Sequence, residues 1–154
     1  MTLAPTGPVS LTHTVAAADS AAAWGSGTVA VLATPRLLAL AEAATLRVLD
    51  GRLPPEQTTV GTRVELDHLA AVPVGGQVTV TAELVAVQGS RLQFTVHAHD
   101  AAGRVVARGT ILRAVVDVAA FEARARAGGP QPPDAPDAPE APQAPEAPGP
   151  SASR

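Results

Sequence analysis

The spacing of apolar residues changes twice along this chain. Between Thr34 and Leu49 they recur every three or four positions, the repeat of an amphipathic helix. Thr34-Pro35 predicts its start, with the threonine as cap and the proline preorganised for the first turn, and Asp50-Gly51 predicts its end. Leu38, Glu42 and Leu46 are four apart, so the pattern puts all three on one buried stripe and a carboxylate where a leucine is expected. Downstream the period falls to two. Thr58–Leu66 is β-branched and partly alternating. Val78–Ala86 and Leu92–His99 alternate cleanly about a Gly89-Ser90 turn, and Arg104–Val118 reads as a last long strand. Phe121–Ala127 predicts a final helical turn. Upstream, Leu11–Ala17 alternates as a short strand, and Ala18–Ala33 reads as a small, flexible loop with Trp24 as its one large anchor, packed on the sheet. One strand, one long helix and four successive antiparallel strands form an α+β arrangement. The expected architecture is a long central helix wrapped by a curved antiparallel β-sheet.

Composition sets the limits of the folding unit. Nine of the 15 prolines lie beyond residue 129, mostly every third residue, with no large apolar side chain among them. Such a segment buries too little surface to offset its ordering entropy, so residues 128–154 are expected to be a disordered Pro/Ala/acidic tail. Residues 1–9 read as a loose lead-in, leaving 10–127 as the domain, enough for one modest core. The net charge is −3, with two Phe, one Trp and no Tyr. Without a basic stripe or stacking aromatics, no nucleic-acid partner is expected. All 11 basic residues are arginine, which has the look of codon bias. The absence of cysteine excludes disulfides and thiolate metal sites. No run of about 18 apolar residues and no secretory leader are present, so a cytoplasmic protein without a membrane span is expected.

Three residues carry the candidate chemistry. Thr34 opens the helix, where backbone N–H groups and the helix dipole favour negative charge. Glu42 follows two turns on. His68 comes just after the strand Thr58–Leu66. If that strand runs beside the helix, a hydroxyl, a carboxylate and an imidazole meet around one cavity. That inventory suits acyl transfer or ester hydrolysis.

The order and spacing of these residues resemble the fluoroacetyl-CoA thioesterase type of hotdog hydrolase over roughly residues 28–121. Glu42 lies eight residues after Thr34, and His68 lies 26 after Glu42. Gly61 stands seven before His68, and the stretches Pro73–Leu84 and Gly109–Val115 resemble the family's later strands. The resemblance implies hydrolysis of a small acyl-coenzyme A thioester with no cofactor and no metal. His68 is then general base or acid, Glu42 the nucleophile or the group that activates water, and Thr34 a substrate-orienting or nucleophilic hydroxyl. Gly61 lets backbone approach the thioester. The resemblance also implies a homodimer with the acyl pocket near the subunit interface. Where the fluoroacetyl-specific member has a phenylalanine-rich lid, this chain has Ala23–Ala30, and Thr28 matches the gating phenylalanine. That departure points to a short acyl group other than fluoroacetyl.

Blander roles remain open for several residues. Trp24 is an anchor or lines the acyl pocket. Arg113 is an outward strand residue or neutralises coenzyme phosphates. His13 is expected on a strand surface, and His97 and His99 on a solvated sheet face rather than on a metal. A non-catalytic acyl-CoA-binding hotdog dimer is the alternative function. An enoyl-CoA hydratase is less favoured, because Asp67 and His68 are adjacent, whereas such enzymes space an Asp and a His about five apart.

Overall fold

A computed structural model describes residues 3–128. The predicted tail from residue 129 onward lies outside the described residues. Five strands, β1 (Val9–Thr14), β2 (Gln57–His68), β3 (Gln77–Gln88), β4 (Arg91–Asp100) and β5 (Val105–Asp117), form one antiparallel sheet in the order β1-β3-β4-β5-β2. Among the described residues three α-helices accompany it, a single turn α1 (Ala21–Trp24), the long α2 (Thr34–Val48) and the terminal α3 (Val118–Ala127), with a 3-10 turn at Ala17–Asp19. The α+β reading holds, with predicted strand and helix ends displaced by one to three residues.

Helix α2 lies across the inner face of the sheet. Its buried side is Leu37, Leu40, Ala41, Ala44, Thr45 and Val48. These pack against inward residues of the sheet such as Val80, Leu84, Phe94, Val96 and Ile111. Each large apolar side chain removed from water here contributes about 1.5–3 kcal/mol. Alanines at 41 and 44 let the helix approach the sheet closely, and Thr45, fully buried, donates its hydroxyl to the Glu42 carbonyl at 2.6 Å.

The predicted stripe was therefore out of phase. Leu38 is half-buried, Leu46 is 43% exposed, and Glu42 lies between them on the flank beside the core. Thr34 does not cap α2 either. It is the first helical residue, behind an Ala33 N-cap that makes no side-chain hydrogen bond.

Edge strand β2 pairs only with β5 and carries a bulge between Gly61 and Arg63. At Gly109 of β5, opposite Leu66, a Cβ would overlap the Glu65 carbonyl oxygen, so only glycine permits this close strand approach. Residues 18–33 are not a loose loop. Ser20 bridges to Leu32 and Val31 to Pro73, and Leu32 N–H donates to the Val72 carbonyl at 2.8 Å. Helix α3 is capped by Asp117 and buries none of its residues. No helix among the described residues is long and apolar enough to cross a membrane.

Candidate active site

Thr34 and His68 meet. The start of α2 and the end of β2 lie side by side, and Thr34 Oγ1 is 2.8 Å from His68 Nδ1. The other ring nitrogen, Nε2, is buried and has no hydrogen-bond partner. A buried polar atom without a partner is uncommon and marks a functional candidate. Burial of the ring pushes the imidazole below its ordinary value, and the nearby Ala70 backbone offsets only part of that effect. The ring is therefore neutral at pH 7, the state in which a histidine can accept a proton.

Glu42 makes a second station two turns along α2. Its Oε1 accepts from Arg113 Nη1 at 3.2 Å. Arg113 is 5% exposed. Its Nε donates to Thr59 Oγ1 and its Nη2 to the Thr59 carbonyl, each at 2.8 Å. Burial draws this guanidinium below its usual pKa, the Glu42 carboxylate opposes that, and the group stays charged at neutral pH. Across β2, Gly61 pairs with Arg113, and a Cβ at Gly61 would come within 2.6 Å of Glu42 Oε1. The missing side chain is thus filled by the carboxylate of the chain itself.

The two stations are separate within one chain. Eight helical residues rise about 12 Å, so Glu42 does not join the Thr34–His68 pair around a single cavity as the spacing alone suggested. Glu42 is also only partly withdrawn from water, with its side chain 38% exposed.

Other expectations need correction. Arg113 does not point outward; it turns inward to Glu42 and Thr59. Strand parity carries the missed signal, because Arg113 is two residues from the fully buried Ile111 and shares its face. Trp24 is 46% exposed instead of packed on the sheet, and its indole N–H donates to the Ala18 carbonyl at 2.9 Å. Thr28 is exposed in the same segment. His13 is not a free surface residue, since its Nε2 lies 2.8 Å from Asp19 Oδ2. His97 and His99 stack edge to face, with centroids 5.3 Å apart, on the outer face of β4. No group of three or more potential metal ligands occurs among the described residues.

The family model described as fluoroacetyl-CoA-specific thioesterase matches residues 15–119. The chain belongs to this family. A fluoroacetyl-CoA thioesterase of Streptantibioticus cattleyicolor is 41% identical over 96 residues, covering 62% of this chain and 68% of that protein. The solved fluoroacetyl-CoA thioesterase superposes with a TM-score of 0.77 at 30% identity, covering 84% of this chain and all of that one. A variant of it has been solved with fluoroacetate and CoA. A hot-dog-like protein from Thermanaerovibrio acidaminovorans gives a TM-score of 0.72 at 26% identity, covering 79% of this chain and 90% of its own. The hotdog architecture of this fluoroacetyl-CoA-specific thioesterase family member agrees with the sheet and helix described above.

Proposed function

We propose that this protein hydrolyses the thioester of a small acyl-coenzyme A and works as a homodimer in the cytoplasm. The observation that carries the reading is the Thr34–His68 hydrogen bond at the start of α2, in a chain of a thioesterase family. The thioester carbonyl sits at the amino end of α2, where the helix dipole stabilises the oxyanion. Neutral His68 takes up a proton as the nucleophile attacks. It returns the proton to the departing CoA thiolate, so water is added across the C–S bond and a free acid and a thiol result. Glu42, oriented by Arg113, accepts a hydrogen bond from the attacking water and holds it in place, and the proton released on attack goes to His68.

Dimerisation supplies what one chain lacks. The part-exposed flank Leu38–Glu42–Leu46 lies beside edge strand β2 where Glu42 meets Gly61, the surface a second copy would cover. A two-fold arrangement there sets the Thr34–His68 pair of one chain opposite Glu42 of the other and joins the separated stations. Thr28, in place of a gating aromatic, and the exposed Trp24 favour a short acyl group without selection for fluorine.

Purified protein incubated with acetyl-, fluoroacetyl-, propionyl- and butyryl-CoA is expected to release free thiol, and sedimentation is expected to give a dimer that Leu46→Glu dissociates. Wild-type protein that is thermally stabilised by acyl-CoA yet releases no thiol would instead be a non-catalytic binder.

The 2.8 Å contact favours a second reading of the nucleophile, in which Thr34 Oγ1 attacks and His68 Nδ1 takes its proton. Acid-quenched turnover analysed by mass spectrometry separates the two: an acyl group on Thr34 marks this route, and its absence marks direct attack by water.

A further inference from the structure

Helix α2 begins without the usual side-chain cap. Ala33 at the N-cap has no side-chain oxygen to offer, Pro35 has no N–H, and the Thr34 hydroxyl is bonded to His68. A helix start under these conditions needs another tether. Asp19 provides one from 15 residues upstream.

Its carboxylate is buried and takes three donors. Oδ2 accepts from Ala16 N–H and from His13 Nε2, each at 2.8 Å, and Oδ1 accepts from Arg36 Nε at 2.6 Å. Burial alone would raise its pKa, but hydrogen bonds from His13, Ala16 and Arg36 hold it at about 2. The Asp19 carbonyl also accepts from Ala33 N–H at 2.9 Å. One residue thus grips α2 immediately before Thr34, through Ala33, and in the first turn after it, through Arg36.

Asp19 also closes the base of the segment that carries Trp24 and Thr28. Directly beyond it, Ser20 bridges to Leu32, and Ala21 N–H donates to the Val31 carbonyl at 2.9 Å. The same contacts link β1, through His13, to the start of α2.

We propose that Asp19 is a positioning residue of the thioester site, fixing Thr34 against His68 through the first turn of α2, with Arg36 as the relay. The inference rests on the thioesterase reading. Its chemistry makes asparagine a sharp probe. An amide has one acceptor oxygen and one NH2 group, yet both Asp19 oxygens face donors. Asp19→Asn must therefore point N–H either at Arg36 or at Ala16 and His13, and it breaks the clasp either way without changing its size.

The test compares wild type, Asp19→Asn, Arg36→Met, the double variant and Arg36→Lys. Thiol release is followed at 25 °C, folded fraction by circular dichroism, and the His68 ring by 15N NMR. A displacement on the order of 1 Å costs about 100-fold in rate. Asp19→Asn and Arg36→Met are expected to lose roughly 10- to 100-fold in kcat with KM within about threefold. The double variant should be no slower than Asp19→Asn, and Arg36→Lys should recover most of the rate. The Nδ1 signal should shift in both single variants. Unchanged kcat in folded Asp19→Asn or Arg36→Met, losses that multiply in the double variant, or an unmoved His68 Nδ1 signal would overturn the inference. If Asp19→Asn does not fold, the half-exposed Arg36→Met decides. If wild type releases no thiol, the thioesterase reading fails, while the NMR comparison still decides whether Asp19 positions His68.

Discussion

Gly61→Ala separates the placement of the carboxylate from the stability of the fold. The added methyl would lie 2.6 Å from Glu42 Oε1, with the carboxylate carbon next at 3.8 Å and no backbone atom among the close contacts. What must move is the far end of a flexible side chain. Gly61 does not have positive φ, so alanine fits its backbone. Stability should change by less than about 1 kcal/mol, because the entropy removed from the unfolded chain offsets the local adjustment. Restoring an ordinary 3.4 Å contact displaces Oε1 by about 0.8 Å, which spoils its 3.2 Å bond to Arg113. A misplacement of that size costs on the order of 100-fold in rate, about 2.7 kcal/mol in the barrier. Thiol release from the best acyl-CoA, with a thermal melt on the same samples, gives both numbers. Loss of kcat at nearly constant Tm is expected. Full activity in the alanine variant would refute the carboxylate's role, and a collapse in Tm would refute the account of the contact.

Glu42→Gln should keep the melting temperature within a few degrees and abolish measurable thiol release, since the amide carries no charge and has one acceptor oxygen where the carboxylate has two; retained turnover would move the chemistry elsewhere. Arg113→Met leaves Glu42 without its cation and the Thr59 carbonyl and hydroxyl without donors, so urea denaturation should show a loss of about 1–3 kcal/mol together with a large fall in kcat. For His68 the folded pKa lies below 6.5. Between that folded value and 6.5 the unfolded chain binds more protons, so the stability from burying the neutral ring is present above pH 6.5 and is lost as pH falls through the window. Urea midpoints from pH 7.5 to 5 should fall accordingly, less so in His68→Gln, and the acidic limb of kcat/KM should lie below 6.5.

Much of this was legible in the sequence. Thr-Pro and Asp-Gly bracketed α2, and strict alternation marked β3 and β4, because each rests on local sterics or on one buried sheet face. The Thr34 and His68 spacing anticipated their contact. The phase of α2 was not legible from the large residues, because the helix buries Ala41 and Ala44 and leaves Leu46 outside. Size misleads where close approach to a sheet selects for small side chains. Arg113 was misread through its charge, although its parity with Ile111 placed it inside. The grip of Asp19 on α2 had no local signal. Its partner on α2, Arg36, is 17 residues away, and the alanines around Asp19 carry no pattern that would show its nearer bonds to His13 and Ala16. Nor was the separation of Glu42 from His68 evident, because spacing along a chain does not say which end of a helix a strand end approaches.

One rigid helix holds Thr34 and Glu42, and one strand holds Gly61 and His68. The interval between the two stations is therefore gauged by two stiff rods lying alongside each other, not by loops. The connector at 50–56 can lengthen or shorten without disturbing that interval, whereas 69–76 is pinned through Val72 and Pro73 to Leu32 and Val31 just before α2. A single residue inserted between 34 and 42 would turn Glu42 by about 100° about the helix axis, and one inserted between 61 and 68 would flip His68 to the opposite sheet face. An insertion in either measuring segment therefore breaks the gauge, while one in the connector leading into β2 leaves it intact.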